Sequence, residues 1–158
     1  MNNELLEEKV GTVLKNRSLT LACAESCTGG LLTSRLTDVA GSSAYIKGAV
    51  VSYSNEVKMS HLGVKEETLA SYGAVSEETA RAMSEGVRSR IGADLGVGIT
   101  GIAGPGGGSA EKPVGLVYIS VAGARGTVVK RNVFAGTRTQ IKHQAVDTAL
   151  NMLLEYLG

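Results

Sequence analysis

The sequence predicts an α/β fold built on a mixed β-sheet. Three observations favour it: several segments place apolar residues at helical spacing, short apolar runs alternate with them, and two late runs are joined by a hairpin-like turn. Alternating strands and helices favour parallel pairing, whereas a hairpin is antiparallel, so the sheet should contain both kinds of pair. The 158 residues have the length of one domain, and we expect 1–158 to form a single unit.

The first half of the chain reads as helices alternating with two short strands. Its first segment has early acids and late bases, the order that a helix dipole favours. Asn55 is a suitable cap for a helix that Gly63 ends, and Ser76 is a suitable cap for a later one. In chain order we predict a helix over 3–16, a strand over 19–24, a helix over 31–39, a strand over 49–53, a helix between Asn55 and Gly63, and helices over 65–71 and 77–91.

The second half begins with a strand that enters a glycine-rich loop. Residues 95–100 alternate small and branched side chains and lead into the loop 101–108, which is either mobile or suited to close approach of a ligand phosphate. Two strands, near 114–122 and 127–134, are joined by a short turn and predict an antiparallel hairpin. A final helix over 138–157 has one apolar face.

Composition excludes several classes of protein. A net charge of +1 with 43% hydrophobic residues is ordinary for a folded domain and excludes disorder. The uncharged stretch 95–110 is too short and glycine-rich to span a bilayer, so no membrane role is expected. Two cysteines, without nearby histidines or a signal-like N-terminus, predict a reduced, cytoplasmic protein without a metal site.

Charge is unevenly distributed along the chain. Residues 112–146 contain no acid and six basic residues, a formal +6. Such a tract is either a solvated face or a site for a compact anion such as a nucleotide phosphate. Because aromatic residues are not interleaved with the basic ones, we expect no nucleic-acid partner.

The best candidate nucleophile is Ser26, which stands where a strand leads into a helix. The free N–H groups of a helix's first turn favour an anion, and this placement suits an oxyanion. The alternative is that Ser26 or Thr28 only caps the helix. Cys27 is a competing nucleophile, because a helix N-terminus lowers a thiol pKa, although a buried structural cysteine is the simpler interpretation.

A serine nucleophile needs a base, and neither histidine has the context of a triad. His61 and His143 fall in predicted helices among polar neighbours. Lys58 is the remaining candidate if it is desolvated, and the preceding segment 53–55 adds a tyrosine hydroxyl and an amide at a strand end. Residues 109–112 match S-x-x-K, but flanking glycines and a proline make a helix improbable there.

Several short motifs of small and polar residues occur in order along the chain. They are Ala24-Glu25-Ser26-Cys27-Thr28-Gly29-Gly30, Ala40-Gly41-Ser42-Ser43, Tyr53-Ser54-Asn55-Glu56 with Lys58, Gly73-Ala74-Val75-Ser76, Thr100-Gly101-Ile102-Ala103-Gly104-Pro105 with Gly107-Gly108, Lys112-Pro113-Val114-Gly115, and Gly136 with Arg138. Taken together, these motifs resemble those of the CinA C-terminal domain family. The match runs in order from about residue 5 to residue 157 and is highly specific. It departs from the family where Thr100 replaces a frequent serine and where 135–138 replaces a Pro-Gly-Asp-Arg-like string.

The resemblance implies a three-layer α/β/α sandwich and nicotinamide-nucleotide amidase activity, the hydrolysis of nicotinamide mononucleotide to the acid and ammonia. It implies Ser26 as nucleophile, Lys58 as base and Tyr53 as the hydroxyl that relays or orients the proton. It further implies no metal or organic cofactor, and a homodimer or higher oligomer. The residues expected to bind substrate are Cys27, Thr28, Gly29, Asn55, Thr100, Gly101, Ala103, Gly104 and Arg138, the last against the 5′-phosphate.

A second hypothesis comes from a different class. The family name also suggests a catalytically inactive nucleotide-binding or partner module of the competence/damage-inducible type. Hydrolysis of the mononucleotide, as opposed to binding alone, separates the two. A third hypothesis keeps the hydrolase but makes Cys27 the nucleophile.

Overall fold

The computed structural model describes residues 3–158; Met1 and Asn2 of the predicted unit lie outside the described residues. Its strands are β1 (Leu21–Glu25), β2 (Ile46–Val51), β3 (Leu95–Gly101), β4 (Leu116–Gly123) and β5 (Gly126–Val133). They form one mixed sheet in the order β2-β1-β3-β4-β5. The three strands on one side are parallel, and the last two pairings are antiparallel, as the predicted hairpin requires.

Helices cover both faces of the sheet. They are α1 (Leu6–Asn16), α2 (Leu31–Thr37), α3 (Asn55–Leu62), α4 (Glu66–Tyr72), α5 (Glu77–Ile91) and α6 (Arg138–Leu157), with a 3₁₀ turn at Ser42–Ala44. Successive residues of a strand point to opposite faces, so Leu21 and Cys23 of β1 lie in one core and Ala22 and Ala24 lie in the other. The larger core is closed by α1, α2 and α6, and the smaller by α3, α4 and α5. The predicted three-layer α/β/α sandwich is confirmed.

Glycines in β3 allow α5 to lie close to the sheet. A Cβ added at Gly98 would lie 2.6 Å from the Ala80 carbonyl oxygen of α5, and one at Gly96 would lie 2.2 Å from the Ser84 carbonyl oxygen. Neither position has room for a side chain. Part of the glycine excess in the sequence therefore serves helix–sheet packing.

Two local predictions need correction. The second strand lies at Ile46–Val51, so Tyr53 follows the strand end instead of belonging to it. The cap of α3 is Ser54, whose extended backbone (φ −116°, ψ 160°) lets its hydroxyl accept from the Val57 N–H at 3.2 Å, while Asn55 is already helical. The other predicted elements are present within a few residues of their expected bounds.

No helix described between residues 3 and 158 has both the length and the apolar character needed to cross a membrane.

Candidate active site

Ser26 lies immediately beyond β1, at the edge of the sheet where β1, β2 and β3 all end. Its N–H donates to the Ile99 carbonyl at 3.0 Å, which continues the pairing of β1 with β3. Its carbonyl accepts from the Gly29 N–H at 3.0 Å, closing a turn. Gly29 and Gly30 have positive φ angles of 61° and 104°, a conformation that favours glycine. The turn therefore presents a half-buried serine hydroxyl above the sheet edge.

The anion at the N-terminus of α2 is the protein's own. Glu25 has no exposed surface, and its oxygens accept from the backbone N–H groups of Leu32 (2.9 Å) and Thr33 (3.0 Å). They also accept from the hydroxyls of Thr28 (2.7 Å) and Thr33 (2.6 Å). The N–H groups of the first helical turn are therefore not free for an oxyanion, which leaves those around Ser26 to Thr28 that the resemblance also implies; of these, the Ser26 N–H donates to Ile99. Within residues 3–158, the N–H groups of Cys27 and Thr28 donate to no other protein oxygen, so the turn itself provides the free donors.

Sequence reasoning missed Glu25. A signal was present, because an acid stands where a buried strand would be expected to continue with an apolar residue, and threonines follow it at Thr28 and Thr33. Its carboxylate accepts from the side chains of both threonines.

Lys58 is brought to Ser26 by α3. Its side chain is 2% exposed, and its Nζ donates to the Ser52 carbonyl at 2.7 Å and lies 3.1 Å from Ser26 Oγ. No carboxylate among residues 3–158 forms an ion pair with it. Burial lowers the pKa of Lys58 because it disfavours the ammonium form. The predicted desolvated lysine beside the serine is thus a feature of the structure.

The lowered pKa of Lys58 predicts a pH-dependent stability. The folded chain releases this proton at a lower pH than the unfolded chain, whose lysine has the ordinary value of 10.5. Between the two values the unfolded chain binds more protons, so this lysine's contribution to the free energy of unfolding increases as pH rises. Urea unfolding of wild type and Lys58→Met across this window checks it. The wild type should gain stability relative to the variant with rising pH, and a constant difference would contradict the argument.

A cavity of about 270 Å³ opens beside the serine. It is bounded by the turn after β1, the segment after β2, the glycine loop after β3 and the start of α6. Its lining residues are Ser26, Cys27, Tyr53, Gly101, Ile102, Ala103, Gly104, Gly106, Gly107 and Arg138.

Arg138 ties two walls of this cavity together. Its Nη2 donates to the Tyr53 hydroxyl at 2.8 Å, and its Nη1 donates to the Gly104 carbonyl at 2.7 Å. Thr137 caps α6 and so fixes the position of Arg138 at the start of the helix. Because arginine can only donate, the Tyr53 oxygen must accept, and its own O–H stays available to a ligand. Tyr53 is 62% exposed and bonds directly to neither Ser26 nor Lys58.

The remaining predicted contacts divide into two groups. Cys27, Gly101, Ala103 and Gly104 line the cavity, whereas four others do not belong to its lining. The hydroxyl of Thr28 bonds to Glu25, that of Thr100 donates to the Ala74 carbonyl at 2.7 Å, and Gly29 and Asn55 are solvent-exposed.

The competing nucleophile and bases are poorly placed for chemistry. Burial raises the pKa of Cys27 to about 12, so its reactive thiolate is disfavoured. His61 and His143 are exposed on helices and outside the cavity lining. Residues 109–112 form a loop, as expected from their glycine and proline neighbours. Between residues 3 and 158, no group of three His, Cys, Asp or Glu side chains could hold a metal ion.

Comparison with known sequences matches residues 3–157 to the CinA C-terminal domain. A protein of Moorella thermoacetica, named as a competence-damage inducible protein, is 54% identical over 152 residues. A CinA-like protein of Syntrophomonas wolfei is 51% identical over 156 residues. These alignments cover 96% and 99% of this chain but only 37% and 38% of the relatives. The chain therefore spans little more than a third of their length.

Solved structures agree with this match. The competence/damage inducible protein CihA of Agrobacterium tumefaciens superposes with a TM-score of 0.93 at 44% identity, covering 95% of this chain and 92% of that one. A CinA superfamily protein of Klebsiella pneumoniae superposes with a TM-score of 0.94 at 37% identity, covering 99% and 98%.

Proposed function

The chain belongs to the CinA C-terminal domain family, and from that premise we propose that it is a nicotinamide-nucleotide amidase. The proposed reaction converts the carboxamide of nicotinamide mononucleotide to the carboxylate and releases ammonia. The observation that supports it best is the 3.1 Å separation of Lys58 Nζ from Ser26 Oγ, with the lysine buried and free of a carboxylate partner. A serine–lysine pair of this kind is a nucleophile with its base.

The contacts of Lys58 suit it to act as the base. In the neutral form, one N–H donates to the Ser52 carbonyl and the nitrogen lone pair is left for the Ser26 hydroxyl. Burial favours this neutral form, since it lowers the pKa. Lys58 takes the serine proton as Ser26 Oγ bonds to the carboxamide carbon.

The tetrahedral intermediate collapses when Lys58 returns the proton to the amide nitrogen and the C–N bond breaks. Ammonia leaves and an acyl ester on Ser26 remains. Water then attacks the ester carbon as Lys58 accepts its proton. The bond from that carbon to Ser26 Oγ breaks as Lys58 returns the proton to Oγ, and the acid is released. The free N–H groups of Cys27 and Thr28 are the proposed donors to the negative oxygen in both steps.

Tyr53 and Arg138 are the proposed substrate-orienting groups. The Tyr53 O–H, left free by its contact with Arg138, can donate to the substrate or relay a proton. Arg138 pairs with no carboxylate among residues 3–158, so its charge is available to the 5′-phosphate. Gly101, Ala103 and Gly104 form the wall along which the nucleotide would lie.

We propose that this enzyme works in the cytoplasm as a homodimer or higher oligomer and without a cofactor. The exposed Val128 and Val133 on the edge strand β5, 48% and 54% exposed, favour association with another copy.

Ammonia release by metal-free protein tests the proposal. We expect release from the mononucleotide, much slower release from the riboside and nicotinamide because they lack the phosphate, and none from the Ser26→Ala variant. Circular dichroism checks that the variant is folded. Turnover of wild-type size in Ser26→Ala would overturn the serine mechanism, and equal turnover of the riboside would overturn the phosphate site.

The second candidate is a nucleotide-binding or partner module without catalysis. The name of the Moorella thermoacetica relative favours it, because that name refers to competence and damage instead of to a reaction. Calorimetric binding of the mononucleotide without ammonia release would support this candidate against the amidase.

A further inference from the structure

The carboxylate of Glu25, next to the nucleophile, has no role in the proposed reaction. It has no exposed surface and accepts four hydrogen bonds, all from neutral donors. A buried carboxylate is strongly unfavourable unless its oxygens are satisfied, and here each oxygen has two donors. Among residues 3–158, no basic side chain forms an ion pair with it.

The two oxygens have different neighbours. Oε1 accepts from the hydroxyl of Thr28, in the turn that carries Ser26, and from the Leu32 N–H of α2. Oε2 accepts only from Thr33, through its N–H and its hydroxyl. Oε1 therefore joins the turn to the helix, whereas Oε2 contacts the helix alone.

The turn has few other contacts with α2. Its backbone bonds run from Ser26 N to Ile99 O, from Gly29 N to Ser26 O, and from Leu31 N, in the first residue of α2, to Thr28 O. The Cys27 side chain is buried in the larger core. The N–H groups of Cys27 and Thr28 donate to no protein oxygen within residues 3–158. Beside the backbone bond at its carbonyl, Thr28 has one side-chain contact with Glu25, and through that carboxylate the turn is joined to the N-terminus of α2.

We propose that Glu25 is a positioning residue for the nucleophile: through Thr28 it holds the Ser26–Gly29 turn against the N-terminus of α2. In this arrangement the free N–H groups of the turn keep one geometry relative to Ser26 Oγ. The inference rests on the proposed serine nucleophile but not on the identity of the amide substrate. Small displacements of such groups are costly, because catalysis depends on a preorganised geometry.

Two threonines on the same carboxylate provide a matched test. Thr28→Val and Thr33→Val each remove one hydroxyl from Glu25 at nearly constant shape, but only the first loosens the turn. Reaction of Ser26 with phenylmethanesulfonyl fluoride, located by mass spectrometry, reports on the nucleophile without any assumption about the substrate. The kcat and KM of ammonia release are measured beside it, together with the unfolding midpoint of each variant.

We expect Thr28→Val to lower the rate of Ser26 modification and kcat by about tenfold with little change in KM. Thr33→Val should change the modification rate and kcat by less than about twofold, even if it lowers the unfolding midpoint as much as Thr28→Val does. Thr28→Ser, which keeps the hydroxyl, should retain the wild-type modification rate. If Thr28→Val does not fold, Thr28→Ala and Thr33→Ala give the same comparison.

Equal losses in the two valine variants would overturn the inference, since they would show that Glu25 serves only to anchor α2. An unchanged rate in Thr28→Val would overturn it as well. Both outcomes are measured against a wild type whose Ser26 reacts with phenylmethanesulfonyl fluoride. They would overturn the role of Glu25 but not the amidase proposal. A wild type whose Ser26 is not modified would overturn the serine nucleophile and this inference together.

Discussion

Replacing Lys58 with methionine is expected to abolish ammonia release while leaving the chain folded. Methionine keeps the length and packing of the side chain but has no lone pair that could take the Ser26 proton. General-base catalysis typically contributes 10²–10⁴-fold, so we expect kcat to fall by about 10³-fold or more. Steady-state kinetics with the mononucleotide checks this result.

The folded state should tolerate the change, because two opposing effects nearly cancel. Removing the nitrogen relieves the cost of burying an amine, but it leaves the Ser52 carbonyl without its donor, and each effect is worth about 1–3 kcal/mol. Circular dichroism and urea unfolding check that the fold is kept.

Lys58→Arg separates a base from a simple positive charge. Arginine keeps the charge and the donors but does not give up its proton, so this variant should be as inactive as Lys58→Met. Lys65→Met, at an exposed lysine, is the matched control and should keep wild-type activity. Substantial turnover by Lys58→Arg would contradict the base role and point to electrostatic stabilisation instead.

The sequence was sufficient to predict most of the secondary structure because its signals are local. Glycines end α3 and α5, serines cap α3 and α5, and the hairpin turn joins two apolar runs. The second strand was misplaced because Ile46 begins an edge strand whose burial alternates, so its apolar signal is weak. Prediction from local pattern is least reliable at such an edge.

The site could be predicted only in part. The chemistry of Ser26, Lys58 and Arg138 follows from residue type and from the family resemblance, but their contacts depend on how distant segments meet. The Arg138 contacts with Tyr53 and Gly104 join residues 85 and 34 positions apart in the chain. The role of Glu25 was missed for a related reason, since three of its four hydrogen-bond donors lie on α2 and become its partners only when α2 is placed against β1.

Two buried ionisable side chains, an acid and a base, thus lie at the same sheet edge. Glu25 is satisfied by four neutral donors, and Lys58 by one carbonyl and one hydroxyl, and the two do not pair with each other. An ion pair between them would stabilise the ammonium form of Lys58 and make it a weaker base. Their separate satisfaction is what keeps the lysine suited to accept a proton.

Gly86→Ala is expected to be the most destabilising small substitution in the helix layer that carries Lys58. A Cβ at Gly86 of α5 would lie 1.9 Å from the carbonyl oxygen of Leu62, the last residue of α3. Alanine is more favourable than glycine inside a helix by about 1 kcal/mol, so helix propensity alone would stabilise the variant. We expect the steric clash to cost more than this gain. We expect a net loss of about 2–3 kcal/mol in the free energy of unfolding, measured in urea.

The same substitution should reduce activity by more than its effect on stability explains. Relief of the clash requires α3 and α5 to separate, and α3 holds Lys58 Nζ within 3.1 Å of Ser26 Oγ. A matched control is Gly48→Ala, where the added Cβ would meet Ile91 at an ordinary 3.4 Å. The control should keep the wild-type free energy of unfolding, and its kcat should stay within about twofold of the wild-type value. A Gly86→Ala variant as stable and as active as the control would contradict both expectations, because it would show that the two helices admit the methyl group without disturbing the serine–lysine contact.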